Sequence, residues 1–168
     1  EAYGWPADES FLVPEEVKEH FAKGIGARGK KSREQWEERF KQYEAEFPQL
    51  AEQVQSIQNH ALPEGWDKDI PEFPCDEKGM ASRVSSGKVI NAIAPNLPWF
   101  VGGSADLAPS TMTLLTEKEM GRFGTDDYTG RNFHFGIREH GMAAILNGMS
   151  LSGLRPFGAT FFVFTDYL

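Results

Sequence analysis

The segment Phe135–His140 puts an acid, Glu139, at the start of a helix that is rich in small residues. Gly136 suits a tight turn, and apolar residues recur at helical spacing after Gly141. A glutamate in a first helical turn often only complements the helix dipole, which favours an anion there by about 0.3–1 kcal/mol. Glycines and alanines allow this helix to pack closely, so we expect Glu139 to be buried. A buried carboxylate tends to share a proton with a basic partner.

An aromatic run follows this helix closely and consists of Phe161, Phe162, Phe164 and Tyr167. Aromatic rings stack on flat ligands and meet them edge to face. An acid held near such a group of rings is the environment that a flat, basic heterocycle needs. The alternative is that these residues are ordinary core aromatics, and the residues alone leave both interpretations open.

Composition limits the classes of partner. The 168 residues are 40% hydrophobic, and the net charge of −8 lies in the first half: residues 1–80 carry 18 acids and 10 bases, and residues 81–168 carry 7 of each. Since no basic stripe is present to neutralise phosphates, we expect neither nucleic acid nor a membrane as a partner. The single cysteine, Cys75, excludes an internal disulfide and favours a reducing compartment. No targeting segment is visible.

The first half of the sequence predicts helices and then an irregular segment. A short helix is expected over Pro14–Phe21 with proline at its first position, and Ser32 with Gln35 form a capping box. A long charged helix should follow, with a bend or break at Pro48. Prolines and glycine make residues 63–80 irregular. One apolar stripe with helical spacing predicts a packing face on the long helix: Trp36, Phe40, Tyr43, Phe47, Leu50, Val54 and Ile57.

The second half predicts an α/β fold. Lys88–Ala94 has a helical pattern, and short buried strands are predicted over Trp99–Val101, Asn132–Phe135 and Pro156–Thr160, with Gly102–Leu107 as a loop after the first strand. Strands that alternate with helices indicate a parallel sheet, whose ligands bind outside the carboxyl ends of the strands. The segments that could carry chemistry all lie at such ends.

Three segments resemble, in order and at fitting intervals, successive motifs of the transketolase family: Gly102–Ser110, Phe135–His140 and Ala159–Tyr167. Gly4–Pro6 and Phe11–Val17 resemble, more loosely, the end of that family's first domain and the start of its interdomain connector. Three ordered motifs are far more specific than one glycine-rich loop. The resemblance covers essentially the whole chain. Because both ends look cut, we expect an internal segment of a longer protein.

The resemblance implies an α/β fold preceded by a helical connector. Residues 1–80 would be the end of the first domain and the connector. Residues 81–168 would be the first part of a pyrimidine-binding domain, a parallel sheet with flanking helices that binds thiamine diphosphate. Members of the family transfer a two-carbon ketol unit from a ketose phosphate to an aldose phosphate, and the cofactor carries out the carbanion chemistry.

By this resemblance Glu139 is the catalytic residue. The matching glutamate of the family hydrogen-bonds the pyrimidine ring nitrogen of the cofactor and favours its imino tautomer, whose nitrogen takes the proton from thiazolium C2. Phe161, Phe164 and Tyr167 would hold the aminopyrimidine ring by stacking and edge contacts. By the resemblance, all of these residues would contribute to the pyrimidine side of an active site.

Four further residues match binding positions of the family. Asp106 would face the positively charged cofactor, and Leu107 would lie at the thiazolium ring. Arg83 and Ser110 match positions that bind the sugar phosphate, where a guanidinium gives bidentate recognition and a hydroxyl adds one neutral donor. Without the resemblance, Asp106 would more simply be a turn former and Arg83 a surface charge.

The family binds diphosphate and a divalent metal on its first domain, through a Gly-Asp-Gly motif and a later asparagine. No Gly-Asp-Gly occurs in this sequence. No metal ligand is therefore assigned here, and Mg²⁺ or another divalent cation would bind through ligands outside this chain. The implied partners are sugar phosphates and a second subunit or companion chain with the diphosphate-binding half, as in a homodimer. We expect the segment alone to be inactive, and the compartment to be the cytoplasm or the plastid stroma.

Two alternatives stay open at this point. Dihydroxyacetone synthase is a close relative that shares these motifs and uses formaldehyde as acceptor. A non-catalytic binding or assembly module derived from the same fold is the alternative of a different class.

Overall fold

The computed structural model describes residues 3–168, which form two compact units. One unit ends at Glu52 and is helical, and the other spans Gln53–Leu168 and contains the sheet. The predicted domain boundary after residue 80 remains a prediction. In the part of the chain that the structure describes, no helix combines the length and the apolar character needed to cross a bilayer.

Nearly continuous helix dominates the first unit and runs past its end at Glu52. Helix α1 (Glu15–Phe21) leads through a π-helical turn (Ala22–Gly26) into α2 (Ala27–Glu46), and α3 (Pro48–Gln58) begins one residue later. The predicted break at Pro48 is confirmed, since proline has no amide hydrogen to donate to the preceding turn. The predicted capping box is wrong. Ser32 lies inside α2, where the residues before it are already helical and leave no free amides for a cap.

Pro14 lies at the N-cap of α1, one position before its predicted place. Its carbonyl oxygen accepts hydrogen bonds from the amides of Val17 (3.1 Å) and Lys18 (3.3 Å). In α2 the rings of the apolar stripe contact each other: the centroids of Trp36 and Phe40 lie 5.0 Å apart in a stacked pair. Four exposed ion pairs at helical spacing line α1, the π-helical turn and α2: Lys18–Glu15, Lys23–Glu19, Lys30–Glu34 and Arg33–Glu37.

The second unit alternates helices and strands. After the irregular residues 59–81, where no helix or strand forms, its principal elements are α4 (Ser82–Ile93), β1 (Phe100–Ser104), α5 (Ala108–Thr111), β2 (Asn132–His134), α6 (Glu139–Leu151), β3 (Arg155–Ala159) and a closing 3-10 helix (Phe162–Tyr167). Single 3-10 turns also lie at Ala94–Asn96 and Lys118–Met120. The predicted helix at Lys88 starts six residues earlier, so Arg83 lies in the first turn of α4.

The three strands form a parallel sheet in the order β2-β1-β3. Gly103 at the centre of the sheet pairs with Phe133 of β2 and with Gly158 of β3. Two small apolar clusters flank the sheet. One joins Ala94 and neighbouring α4 residues to β1 and β3, and the other joins Met142 of α6 to residues after β1 and β2. The predicted parallel sheet with flanking helices is confirmed.

The structure corrects the extent of the first strand. Gly102, Gly103 and Ser104 were predicted to be part of a loop, but they are paired residues of β1. A Cβ atom on Gly102 would overlap the carbonyl oxygen of Phe157, and one on Gly103 would overlap that of Phe133. Glycine is therefore required here by the close approach of the neighbouring strands and not by a turn.

Two polar side chains hold the long excursion between α5 and β2 in place. Asn132 accepts a hydrogen bond from the amide of Leu115 (2.8 Å) and donates to the carbonyl oxygens of Leu115 and Gly121, both at 3.0 Å. The guanidinium of Arg131 donates to the carbonyl oxygens of Ala94, Leu97 and Phe100. Burial of this guanidinium lowers the pKa of Arg131. These bonds fix the start of β2 against β1.

Candidate functional site

The carboxyl ends of the three strands lie at one edge of the sheet, because the strands are parallel. The residues that follow β1, β2 and β3 are those of the three predicted motifs. Asp106, Glu139 and Phe161 therefore come to the same edge, as the pattern of strands and helices predicted. In parallel sheets this edge is where ligands bind.

Glu139 is the first residue of α6 and is buried, with 8% of its surface exposed. The hydroxyl of Thr160 donates a hydrogen bond to Oε1 of Glu139 over 3.1 Å. No hydrogen bond reaches Oε2, and no ion pair is formed by this carboxylate, within residues 3–168. Burial of a carboxylate is costly unless its oxygens are paired. The predicted burial is thus confirmed, and the predicted basic partner is not supplied by the described residues.

The turn before α6 sets the direction of Glu139. Gly136 has a φ of 70°, which glycine adopts without strain, and the amide of Arg138 donates to the carbonyl oxygen of Gly136 over 2.9 Å. One turn into the helix, Met142 is buried against Phe135 and Ala105. The helix start is therefore anchored both by its own turn and by packing against the β1 loop.

The loop after β1 is shaped by two hydroxyl groups. The Oγ of Ser104 accepts a hydrogen bond from the amide of Leu107 (2.9 Å), and the hydroxyl of Thr111 donates to the carbonyl oxygen of Leu107 (2.9 Å). Between them Asp106 is exposed and has a left-handed φ of 72°. Such a conformation costs a non-glycine residue about 1 kcal/mol or more and is typical of ligand-binding turns.

A cleft of about 470 Å³ brings the two predicted phosphate-binding residues together. Arg83 from α4 and Ser110 from α5 both line it, and Thr160 and Phe161 from the segment after β3 form another part of the wall. Arg83 is exposed and makes no ion pair within residues 3–168, so its guanidinium is available to an anion. Glu139, Asp106, Leu107, Phe164 and Tyr167 are not among the residues that line this cleft.

The aromatic run begins with Phe161 and continues into the closing 3-10 helix. That helix contacts α6. Phe161 and Phe164 are each 37% exposed, and Tyr167 is 62% exposed. Within the described residues none of these rings pairs with another aromatic ring. Phe162 is 90% exposed, so it is not a core residue of this chain. Phe161, Phe164 and Tyr167 are therefore accessible to a ligand in this chain.

The donor set fits part of a site for a flat, basic heterocycle. It offers a buried acid with one oxygen held and one open, and aromatic rings that no other ring covers. It offers no metal site: within residues 3–168 no three His, Cys, Asp or Glu side chains come together in an arrangement that could hold an ion.

Several residues that shape the site were not predicted. Thr160, Ser104 and Thr111 each place a hydroxyl at the carboxyl edge of the sheet, and Asn132 fixes the start of β2. Thr160 and Ser104 lie at the last position of a strand or just after it, and this position is the one signal that could have identified them. Their hydrogen-bond partners cannot be read from the sequence.

Two family models match the chain. One, described as "Transketolase, pyrimidine binding domain", matches residues 78–168, and the other, described as "Transketolase, thiamine diphosphate binding domain", matches residues 1–63. The first match includes β1, β2 and β3, so the parallel sheet with the three motifs at one edge is that of a pyrimidine-binding α/β domain. The chain belongs to the transketolase family.

Known proteins agree with this assignment. The chain is 50% identical to a transketolase of Bacillus subtilis over 171 residues, covering 100% of this chain and 25% of the relative. It is 45% identical to chloroplastic transketolase-1 of Arabidopsis thaliana, covering 98% of this chain and 22% of that protein. The crystal structure of a transketolase mutant from Pichia stipitis, in complex with xylulose 5-phosphate, superposes on this chain with a TM-score of 0.79 at 35% identity. The superposition covers 99% of this chain and 25% of the Pichia stipitis chain. The chain spans about a quarter of the length of these relatives.

Proposed function

We propose that this chain is part of a transketolase, which transfers a two-carbon ketol unit from a ketose phosphate to an aldose phosphate. The observation that supports this most is the buried carboxyl of Glu139, with one oxygen held by Thr160 and the other open. An acid in this setting can hold a proton at its open oxygen and hydrogen-bond a basic ring nitrogen. The Pichia stipitis relative, which was crystallised with xylulose 5-phosphate, supports the substrate class.

The cofactor in this proposal is thiamine diphosphate, which when bound supplies the carbon nucleophile and the electron sink for cleaving a carbon–carbon bond. Glu139 would hydrogen-bond a pyrimidine ring nitrogen through its open oxygen, Oε2. Phe161, Phe164 and Tyr167 bind the ring through their exposed faces, each contact contributing about 0.5–1.5 kcal/mol beyond area burial. Asp106 would place a negative charge towards the cationic cofactor, and Leu107 would lie at its thiazolium ring and exclude water.

The cleft between α4 and the segment after β3 binds the phosphate of the substrate. Arg83 contributes a charged donor that can bind two phosphate oxygens at once, and Ser110 contributes a neutral one. Arg83 forms no ion pair within residues 3–168, and this supports the role, because no carboxylate of the described residues competes with the ligand.

The remaining parts of the active site would come from elsewhere in the protein. Mg²⁺ or another divalent cation and the diphosphate bind to the other half of the active site, on a second subunit or companion chain, and a homodimer supplies both halves. Ketol transfer between sugar phosphates belongs to the pentose phosphate pathway and the Calvin cycle. The compartment is the cytoplasm or the plastid stroma.

The test is Glu139→Gln in the full-length protein that contains this chain, saturated with thiamine diphosphate and Mg²⁺. Glutamine keeps the shape and the hydrogen-bonding capacity but cannot share a carboxyl proton. We expect exchange of the thiazolium C2 proton, followed by NMR after acid quench, to slow by about a hundredfold or more while the fold survives.

Glu119→Gln is the matched control, since Glu119 is exposed and lies on a 3-10 turn that hydrogen-bonds Arg131 just before β2, at the opposite end of that strand from the motifs. It should leave the exchange rate unchanged. If Glu139 only complements the helix dipole, Glu139→Gln should cost at most about 1 kcal/mol of stability and leave exchange intact. That outcome, with the cofactor bound, would rule out the proposed role.

A further inference from the structure

We propose that Thr160 is a positioning residue for Glu139: its hydroxyl holds Oε1, so that the carboxyl carries its proton on Oε2. This inference rests on the proposed function. It adds a residue to the site and a protonation pattern to the catalytic carboxyl.

The contact itself is specific. The hydroxyl of Thr160 lies 3.1 Å from Oε1 of Glu139, and within residues 3–168 it is the one hydrogen-bond partner of this carboxylate. The bond joins residues 21 positions apart, one at the end of β3 and the other at the start of α6. Glu139 is buried, with 8% of its surface exposed, so the loss of this donor would leave its carboxylate without a hydrogen-bond partner among the described residues.

Thr160 is held rigidly enough to orient its partner. Its neighbour Ala159 is the last residue of β3 and pairs with Ser104 of β1, and the carbonyl oxygen of Ala159 accepts a hydrogen bond from the amide of Ala105 over 3.1 Å. The branched side chain of threonine has few χ1 rotamers. The backbone that carries this hydroxyl is therefore fixed by the sheet.

A hydroxyl suits this role better than a cation would. A lysine or arginine would stabilise the ionised carboxylate and hold it deprotonated. A hydroxyl is neutral and can donate to a carboxylate oxygen and, more weakly, to the carbonyl oxygen of a protonated carboxyl. When Thr160 donates to Oε1, that oxygen is the acceptor in both protonation states of Glu139. The proton is left to Oε2, to which no described residue donates a hydrogen bond.

Thr160 also lines the cleft that holds Arg83 and Ser110, so a change here could alter substrate binding as well. Readouts without substrate separate the two effects. Exchange of the C2 proton needs no sugar phosphate, and the dissociation constant of thiamine diphosphate, measured by titration of the apo protein, needs no turnover at all.

The experiment compares Thr160→Val and Thr160→Ser in the full-length protein. Valine keeps the shape but removes the hydroxyl, and serine keeps the hydroxyl. We expect Thr160→Val to slow C2 exchange by about tenfold or more and to weaken cofactor binding, as the loss of a hydrogen bond to an ionisable group should. Thr160→Ser should restore both to within about threefold. If Thr160→Val does not fold, Thr160→Ala removes the same hydroxyl.

A double-mutant cycle shows whether Thr160 acts through Glu139. In a Glu139→Gln background, Thr160→Val should change C2 exchange by less than about threefold, because the proton that it directs is absent. Equal slowing by Thr160→Val in both backgrounds, or no slowing in the wild type, would overturn the inference. Wild-type exchange in Glu139→Gln alone would instead overturn the proposed function.

Thr129→Val is the matched control. Thr129 donates to Oδ1 of Asp127 over 2.6 Å, and this hydrogen bond lowers the pKa of Asp127. It is thus another threonine–carboxylate bond, located in the exposed loop before β2. Its removal should leave C2 exchange and cofactor affinity unchanged. A loss equal to that of Thr160→Val would show a general effect of losing such a bond and would overturn the inference.

Discussion

The helical unit that ends at Glu52 and the α/β unit that begins at Gln53 are stabilised by different kinds of contact. The helical unit carries the four exposed ion pairs, all between residues three or four positions apart. The α/β unit relies on strand pairing and on hydrogen bonds between distant residues, such as those of Asn132 and Arg131. Local surface contacts contribute little each, whereas long-range buried ones fix the positions of other groups. Single substitutions should therefore have small effects in the first unit and large ones in the second.

The largest effect on stability is expected from Gly103→Ala in β1. The added Cβ would overlap the carbonyl oxygen of Phe133, a backbone atom that can move only if β1 and β2 separate. We expect a loss of about 3 kcal/mol or more in the free energy of unfolding of the full-length protein. Urea unfolding, with hydrogen exchange of the β1 and β2 amides, measures this.

Gly148→Ala is the control for that substitution. Gly148 is exposed on α6, and an added Cβ would meet no atom within 4 Å. Alanine is the better helix former, so this change should stabilise the protein by about 0.5–1 kcal/mol. Similar losses for Gly103→Ala and Gly148→Ala would contradict the view that strand contact, and not glycine content, sets the sensitivity of the α/β unit.

Arg83→Ala should separate function from stability within the α/β unit. Arg83 is exposed and unpaired within residues 3–168, so its loss should change the free energy of unfolding by less than about 0.5 kcal/mol. A lost charge-assisted contact to phosphate should cost about 1.5–3 kcal/mol of binding. The apparent KM for phosphorylated sugars should therefore rise by about tenfold or more, and that for unphosphorylated analogues should not.

Arg122→Ala provides the control, because Arg122 is also exposed in this unit but does not line the cleft. Steady-state kinetics with both substrate sets measure the effect. An equal rise in the apparent KM for both substrate sets in Arg83→Ala would show that Arg83 does not belong to the proposed phosphate site.

Predictions from the sequence succeeded where a local pattern decides the outcome. The alternation of strands and helices placed Asp106, Glu139 and Phe161 at the carboxyl ends of parallel strands, and the structure brings those ends to one edge. The prediction for Ser32 failed because a capping signal has no effect when the preceding residues are already helical. A glycine in a sequence usually indicates a turn, but Gly103 is required by the close approach of a neighbouring strand. Only the structure shows this, because the contact is with the backbone of Phe133 in β2.

In the candidate site, too, features set by local sequence could be predicted and contacts between distant residues could not. The burial of Glu139 could be predicted from the small residues of its helix, but what holds its carboxyl could not. The hydrogen bond from Thr160 to Glu139 spans 21 positions and depends on the register of β3 with β1. Nothing in the local sequence of either residue specifies that register. Side-chain partners across a sheet edge are therefore the part of a site that requires the structure.

The smallest effect is expected from the ion pairs of the helical unit. Arg33 and Glu37 form a close one, with Nε and Oε1 2.7 Å apart, whereas Lys30 and Glu34 are 3.9 Å apart. In both pairs the base precedes the acid, which is the less favourable order along a helix. We expect Glu37→Gln to cost at most about 0.5 kcal/mol and Glu34→Gln less, and both losses to vanish in about 1 M salt, where screening acts within about 3 Å. Urea unfolding at low and high salt measures both, and a salt-independent loss above about 1.5 kcal/mol for Glu37→Gln would show that this unit, too, depends on specific charged contacts.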